Sequence, residues 1–319
     1  MKTISLTVPC FNEEESIDAF YDAVKETFSD LSGYAPELIF INDGSSDGTV
    51  SKLKSIAARN EYPIKLISFS RNFGKEAAML AGFRHVTGDF AVTIDADMQQ
   101  PPALIKDMLH VFEKEPDYDS VVYYQEKRKE SKLMGFIKKK FYSIINSISE
   151  VEFVAGASDF RMFRKNVVDA ILELPEASRF SKGIFSWVGF NKKFLPYTPD
   201  ERVGGASKWN FRKLMKYAIS GITSFSVMPL KIASYIGSVI SLLSFIYLIV
   251  ILLQKLIFDI AVPGFPTIIC TVLFLGGLQL LFMGILGEYL SKTFIESKHR
   301  PSYIIREYID TRKDPGHDR

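Results

Sequence analysis

The chain has 319 residues and a formal net charge of +2, with 47% hydrophobic and 24% charged residues. That length allows one large domain or two small ones, while 20 Gly, 14 Pro and only 2 Cys exclude collagenous, disordered and disulfide-scaffold proteins. A charge so close to neutral gives no reason to expect a nucleic-acid partner. The apolar residues concentrate towards the C-terminal end, so a wholly soluble protein is not expected.

Strand-like and helix-like runs alternate along the first half of the chain. The predicted strands are Ile4–Val8, Leu38–Ile41, Ile64–Phe69, Phe90–Ile94 and Ser120–Tyr124. The predicted helices are Glu14–Phe28, Thr49–Ala58, Lys75–Arg84 and Ala103–Glu113. This alternation predicts an α/β fold with a doubly wound, mostly parallel sheet, in which ligands bind beyond the carboxyl ends of the strands. The sequence has neither the glycine-rich dinucleotide motif after its first strand nor a P-loop, which argues against a dehydrogenase or an NTPase.

Polar clusters follow the first four predicted strands, and a parallel sheet brings them to one edge. They are Pro9–Glu14, Asn42–Thr49, Ser70–Lys75 and Asp95–Gln99. The Asp95-Ala96-Asp97 triplet ends an apolar strand, and carboxylates there favour a cation partner. Their oxygen atoms suit Mg²⁺ or Mn²⁺, which commonly bridge protein carboxylates and substrate phosphates. Such triplets also occur as strand-end caps, but the place after the fourth strand favours a metal site.

The second and third clusters contain further candidate ligands. The Asp43 carboxylate is suited to accept hydrogen bonds from the edge of a base, although its neighbours also favour a turn. We favour the ligand role for Asp43, and for Asp47 the capping of the helix near Thr49. Lys75 stands at a predicted helix start, where an anion can bind, and a solvated lysine is the alternative.

Two charge-free runs, Ile232–Leu253 and Phe265–Leu286, are each long enough to cross a bilayer, which takes about 20 residues. Buried core helices are the alternative, but they rarely run so long without a polar face. Basic residues follow the second run, so the positive-inside rule places that flank, and with it the N-terminal domain, in the cytoplasm. Trp209–Ile219 has apolar residues at helical spacing, which predicts an interfacial helix or, alternatively, an ordinary surface helix.

The predicted organisation follows from these runs. Residues 1–208 form a cytoplasmic domain, 209–231 an interfacial amphipathic helix and linker, 232–290 two transmembrane helices, and 291–319 a cytoplasmic tail.

The motifs, in this order, resemble those of family 2 glycosyltransferases with a GT-A type fold. Together with two C-terminal spans they are most similar to polyprenyl-phosphate glycosyltransferases, such as bactoprenol glucosyltransferases and dolichol-phosphate mannose synthases. Besides the first three clusters, the resemblance is carried by Asp95–Pro102, Ser158–Arg161, Arg202–Trp209 and Gly287–Leu290.

The resemblance implies an inverting hexosyltransferase of a bacterial cell membrane, with a cytoplasmic catalytic domain and multi-pass anchoring. The donor would be UDP-glucose, with UDP-N-acetylglucosamine or GDP-mannose as alternatives, and the acceptor undecaprenyl phosphate. The partners would thus be a nucleotide sugar, a polyprenyl phosphate lipid and the membrane, in a pathway of cell-envelope glycans. The sequence is also compatible with a homo-oligomer.

The resemblance also implies roles for individual residues. The nucleotide sugar would be held by Pro9, Glu14, Asp43, Lys75, Asp95, Arg202 and Lys208, with Asp43 on the uracil and the two last-named also close to the acceptor phosphate. The metal, Mg²⁺ or Mn²⁺, would be surrounded by Asp95, Asp97 and Gln99. Asp97 and Asp159 would be the catalytic residues, with Asp159 near the reacting centre.

The proposed nucleophile, a phosphate monoester, has a second pKa of about 6 and is largely anionic at pH 7, so a strong general base is not required. Cations are needed instead, and residues 126–140 are strongly basic. We predict that Arg128 and Lys139 of this segment bind the acceptor phosphate, while a face attracted to lipid headgroups is the alternative. Asp159 then orients a cation, accepts a hydrogen bond or acts as a base.

Two other functions compete with this interpretation. A processive polysaccharide synthase would need more spans and a Gln-x-x-Arg-Trp motif, which the sequence lacks. A non-catalytic, membrane-tethered nucleotide-binding protein would not need its strand-end carboxylates, yet Asp95, Asp97 and Asp159 are all present.

Overall fold

The computed structural model describes residues 1–125, 143, 146–147, 149, 151–152, 154, 156–197, 221–258 and 264–312. The strands are β1 (Lys2–Cys10), β2 (Tyr34–Asn42), β3 (Ile64–Phe69), β4 (Phe90–Thr93), β5 (Ser120–Gln125), β6 (Ala157–Arg164), β7 (Lys192–Tyr197) and β8 (Ile305–Asp310). The helices are α1 (Ile17–Ser29), α2 (Thr49–Arg59), α3 (Lys75–Arg84), α4 (Ile105–Lys114), α5 (Lys165–Glu173), α6 (Ser181–Trp187), α7 (Met228–Phe258) and α8 (Phe265–Ser297), with a 3-10 turn at Pro102–Leu104.

The strands of the described chain form one mixed sheet in the order β7-β5-β6-β4-β1-β2-β3-β8. Its centre is parallel, since β1 pairs with β2 and β4, and β2 pairs with β3. Antiparallel pairs flank this centre, because β6 runs against β4 and β5, and β8 runs against β3. The predicted α/β class, its five strands and its four helices are confirmed. The strands β6, β7 and β8 were not predicted.

The central strands are apolar on both faces because helices cover both sides of the sheet. On one side α1 buries Ile17, Phe20, Tyr21 and Val24, which recur at helical spacing and face the sheet. On the other side α3 lies close to β1 and β2, and its buried residues are mostly small, which allows a close approach. Because the central strand pairs are parallel, the carboxyl ends of β1, β2, β3 and β4 lie at the same edge of the sheet.

The eighth strand joins the C-terminal end of the chain to the edge of the sheet. Tyr303 stacks on Phe69 of β3 with ring centroids 4.9 Å apart. Glu37 of β2 is fully buried and forms ion pairs with Lys65 of β3, at 2.8 Å, and with Arg312. The segment that follows α8 is therefore part of the folded domain.

The helices α7 and α8 contain the two predicted spans. Both are long and apolar enough to cross a membrane, over Met228–Ile251 and Ile268–Ser297, and neither stretch is buried. Large apolar side chains such as Leu273, which is 70% exposed, point outwards. The alternative of buried core helices therefore does not fit, and the two helices indicate association with a membrane. The predicted interfacial helix Trp209–Ile219 lies outside the described residues.

Candidate active site

The loop after β2 is clamped to the loop after β3 by Asp43. Its carboxylate accepts the backbone N–H groups of Phe73 at 2.6 Å and Gly74 at 2.9 Å. Gly44 has a φ of +69°, and a Cβ placed on it would lie 2.5 Å from the carbonyl carbon of Arg71. Burial raises the pKa of Asp43, and the two backbone N–H donors oppose that rise. Asp43 thus lies after β2, at the predicted position. Two backbone N–H groups already take part of its capacity to accept hydrogen bonds.

The loop after β1 is joined to the start of α2 by a second carboxylate. Glu14 accepts the N–H of Gly48 at 2.8 Å and donates its own N–H to Asp47 at 3.2 Å. Asp47 also accepts the N–H of Thr49 at 3.1 Å, but the N-cap of α2 is Gly48, so Asp47 bonds the first helical residue without being the predicted cap. Pro9 lies in β1 opposite Ile41 of β2. Hydrogen bonds therefore join the loop after β1 to the loop after β2.

Lys75 is the centre of a charged cluster at the other strand ends. Its Nζ lies 2.8 Å from the carboxylate of Asp95 and 2.9 Å from that of Asp159. Asp95 follows β4 and Asp159 belongs to β6, the antiparallel neighbour of β4, while Lys75 is the first residue of α3. The Thr93 hydroxyl donates to the Asp159 carbonyl, which fixes these two strands to each other. The cluster of Lys75, Asp95 and Asp159 therefore depends on three separate elements.

Electrostatics keep this cluster charged. Burial by itself would raise the pKa of Asp159, but Lys75, and then Lys182, more than offset burial and hold that pKa well below its ordinary value. Burial would likewise lower the pKa of Lys75, but Asp159 and Asp95 outweigh it and hold the pKa above its ordinary value. Two carboxylates and one ammonium thus carry one net negative charge. On the side of Asp95 this charge favours a further cation, whereas Lys182 and Arg161 lie beside Asp159.

Asp97 lies on the turn that follows β4. It is largely buried and accepts the N–H of Gln99 at 3.1 Å. Met98 between them has a φ of +61°, the left-handed conformation that this tight turn requires. Gln100 then donates to the Tyr197 hydroxyl at 2.7 Å, which fixes the turn to β7.

The donor atoms here are oxygens, the ligand type that hard divalent cations prefer. Within the described part of the chain, His, Cys, Asp and Glu side chains do not gather in groups of three or more. Asp95 also pairs with Lys75, and Asp97 adds a second carboxylate on the turn after β4. The site fits a divalent cation that takes its remaining ligands from substrate phosphates and water.

Sequence reasoning missed three charged residues beside Asp159. Lys182, on α6, donates to the Ala157 carbonyl at 3.0 Å. The Arg161 guanidinium lies over the ring of Phe185, 4.8 Å from its centroid. Glu76, next to Lys75, accepts the N–H of Ser181 at 2.9 Å. The only signal for Arg161 was its place in the Ser158–Arg161 motif, and Lys182 and Glu76 had no signal, because α6 meets the site only through tertiary packing.

The structure thus brings Lys75, Asp95 and Asp159 into contact, with Asp97 and Gln99 on the adjoining turn. Pro9, Glu14 and Asp43 lie along the neighbouring strand ends. The other predicted site residues, Arg128, Lys139, Arg202 and Lys208, lie outside the described residues.

Comparison with known proteins adds an independent observation. Residues 5–172 match the family described as "Glycosyl transferase family 2". The chain is 44% identical over 308 residues to the "Prophage bactoprenol glucosyl transferase homolog" of Escherichia coli (strain K12), covering 95% of this chain and 98% of that protein. The identity, the aligned length and both coverages are the same for the "Bactoprenol glucosyl transferase" of Shigella phage SfV. A crystal structure of mannosyl-3-phosphoglycerate synthase from Rubrobacter xylanophilus is 15% identical, with a TM-score of 0.47, over 69% of this chain and 72% of that chain.

Proposed function

Because this chain belongs to glycosyl transferase family 2, we propose that it transfers glucose from UDP-glucose to undecaprenyl phosphate at the cytoplasmic membrane face. Membership confirms the predicted family, the GT-A type α/β fold and the assignment as a glycosyltransferase. The observation that carries the acceptor is the 44% identity, over nearly the whole chain, to proteins named as bactoprenol glucosyl transferases. That identity extends over the apolar helices as well as the α/β domain.

The donor would lie along the strand ends. Asp43 would accept a hydrogen bond from the uracil, using oxygen lone pairs that the N–H groups of Phe73 and Gly74 do not occupy. Pro9 and Glu14 would line the nucleoside, while Arg202 and Lys208 would reach the diphosphate. The names of the relatives support a glucosyl donor, and UDP-N-acetylglucosamine and GDP-mannose are the alternatives that the test must include.

A divalent cation, Mg²⁺ or Mn²⁺, would be held by Asp97 with Asp95 and Gln99, and when bound it supplies positive charge to the leaving diphosphate. The protein residues do the positioning. Lys75 fixes the carboxylates of Asp95 and Asp159 on either side of one ammonium, so neither has to reorganise during the reaction.

The acceptor would attack as an anion, with inversion at the sugar. Lys75 lies 2.9 Å from Asp159 and holds the pKa of that carboxyl below its ordinary value, which favours an orienting role over a general base. An acceptor that is already anionic needs no base. Arg128 and Lys139 would contribute cations to the acceptor phosphate.

Topology supports a pair of membrane crossings. Strands β1 to β7 precede α7 and β8 follows α8, yet all belong to one sheet. Both outer ends of the helix pair therefore lie on the same side, as an even number of crossings requires. The catalytic domain, over residues 1–208, would then face the cytoplasm, where nucleotide sugars are supplied, and the protein would be a multi-pass membrane protein.

The test uses membranes that contain the full chain, undecaprenyl phosphate and Mg²⁺. Radiolabelled UDP-glucose, UDP-N-acetylglucosamine and GDP-mannose are supplied separately, and labelled lipid is measured. We expect labelled lipid from UDP-glucose, a loss of roughly 100-fold or more in Asp97→Asn, and unchanged activity in Asp22→Asn, an exposed aspartate of α1. A different preferred donor would correct the sugar alone, whereas no labelled lipid from any donor would refute the proposal.

A further inference from the structure

We propose that Lys182 is a catalytic residue that contacts the phosphate of the lipid acceptor. This inference rests on the proposed function. It assigns a contact with the acceptor phosphate to a residue that lies outside the strand-end motifs. It follows from the position of Lys182 between the charged cluster and the membrane helices.

Lys182 faces the charged cluster from the side of β6. Its Nζ donates to the Ala157 carbonyl at 3.0 Å, two residues before Asp159 in the same strand. Asp159, Arg161 and Lys75 all act electrostatically on its ammonium. An ammonium has three donors, and the Ala157 carbonyl takes one of them. The ammonium is therefore anchored at the edge of the cluster with capacity for an anionic ligand.

Two carboxylates hold the backbone that carries Lys182. Glu76 accepts both the N–H and the hydroxyl of Ser181, the residue immediately before Lys182. Glu296, near the end of α8, accepts the N–H groups of Ala177 and Ser178, each at 3.0 Å. The start of α6 is thus fixed to α3 on one side and to the second apolar helix on the other. A cation held in this way needs little reorganisation to bind its ligand.

The same helix lies against the elements that enter the membrane. The Phe225 ring, just before α7, packs directly on Gly183, with no room for a side chain there. Tyr289 of α8 donates to the Ser226 carbonyl at 2.6 Å, and Lys292 donates to the Ser224 hydroxyl at 2.7 Å. Segment 224–226 therefore lies between α6 and α8, and Lys182 stands on the membrane-facing side of the cluster.

Charge and position together favour the acceptor over the donor. Lys75 is occupied by two carboxylates, whereas burial lowers the pKa of Lys182 and nearby Asp159 only partly opposes this. A second anion beside Lys182 would stabilise its charged form. The donor diphosphate is expected on the Asp95 and Asp97 side, while the lipid phosphate must arrive from the membrane helices. Lys182 lies on α6, the helix against which Phe225 packs, and so stands on that path.

The experiment compares Lys182→Gln and Lys182→Arg with the wild type in full-length protein. The matched control is Lys25→Gln, which removes an exposed lysine of α1 that pairs with Glu61. Initial rates are measured against undecaprenyl phosphate at saturating UDP-glucose, and UDP-glucose affinity is measured separately by calorimetry. We expect Lys182→Gln to lose roughly 10- to 100-fold in kcat/KM for the lipid, as removal of a charge-assisted hydrogen bond implies.

Donor affinity should stay unchanged in Lys182→Gln, and Lys182→Arg should recover most of the lost rate, because it restores the charge. An unchanged kcat/KM for the lipid would overturn the inference, and so would an equal loss of donor affinity, which would indicate a donor or structural role. If the glutamine variant does not fold, Lys182→Met keeps the aliphatic stem and takes its place in the same comparison. A wild type that does not use the lipid at all would refute the proposed function instead.

Discussion

Glu37 is a buried carboxylate that joins β2 to β3 through Lys65, and its replacement tests how much that ion pair contributes to stability. The carboxylate is fully buried and accepts hydrogen bonds from Ser5 and from the Thr87 hydroxyl, the latter at 2.8 Å. It also pairs with Lys65, whose side chain is 6% exposed, and with the more exposed Arg312. In Glu37→Gln the hydrogen-bond acceptor remains but the negative charge is lost.

The magnitude follows from what the substitution leaves behind. Lys65 keeps its buried positive charge but loses Glu37, and breaking a buried pair in this way costs about 3–5 kcal/mol. For a domain of about 150–250 residues, 1 kcal/mol corresponds to about 2–4 °C in Tm. The expected fall in Tm is therefore about 6–20 °C. Arg312 adds little, because solvent screens an exposed charge.

The assay is a thermal melt of the full-length protein in detergent, followed by tryptophan fluorescence. The matched control is Glu307→Gln, which breaks the exposed pair with Lys54 and should lower Tm by no more than about 4 °C. The double variant Glu37→Gln/Lys65→Met removes the buried positive charge as well and should melt above the single variant. A Glu37→Gln protein that melts with the wild type, or a double variant that melts lower still, would refute this reasoning.

Three further predictions concern the candidate active site. In Lys75→Met, the burial of Asp159 is offset only by Lys182 and Arg161, and the pKa of Asp159 rises. In the wild type, Asp159 becomes protonated, and its contribution to activity is lost, only when the pH falls well below the ordinary aspartate pKa of about 3.9. The acid limb of the pH profile of kcat/KM should therefore move to higher pH in the variant. An unmoved limb would show that Asp159 does not need to be charged. Chelation should abolish transfer and added Mg²⁺ or Mn²⁺ should restore it, with Asp97→Asn needing more metal for half-maximal rate. Full activity in excess EDTA would contradict the metal site. Gly44→Ala should raise the KM for the donor, because a Cβ there meets the backbone of Arg71. Gly33→Ala, also at positive φ but with no atom within 4 Å of the added Cβ, should lower only stability, by about 1 kcal/mol. Equal donor KM values in the two alanine variants would contradict the claim that close packing at Gly44 affects donor binding.

The strand-end residues were predictable because two simple rules place them. Alternating apolar runs identify parallel strands, and parallel strands put their carboxyl ends at one edge. Asp43, Asp95 and Asp97 follow from those rules alone, and the structure has them at the ends of β2 and β4. The contact between Lys75 and Asp95 was not predicted, because Lys75 was expected to bind an anion or to be solvated, whereas it pairs with two carboxylates.

The remaining parts of the site depend on pairings that no local pattern encodes. Asp159 reaches Lys75 only because β6 enters the sheet between β4 and β5, although β6 follows both in the chain. Lys182 lies in a seven-residue helix whose apolar residues are too few to reveal which face is buried. The strand β8 pairs with β3 across more than two hundred residues, so its short run gives no sign of its partner.

The late return of β8 explains how a site made of strand-end loops can work at a membrane. Because the apolar helices lie between β7 and β8 in the chain, each end of the pair is tied to the same sheet. Segment 224–226, before α7, packs against α6. At the end of α8, Glu296 binds the segment before α6, and β8 then pairs with β3. A helix pair held at both ends keeps a fixed depth relative to Lys75 and Asp159. In the proposed function, the sheet would set the height of the reacting centre above the lipid, because both ends of the helix pair are bound to the folded domain.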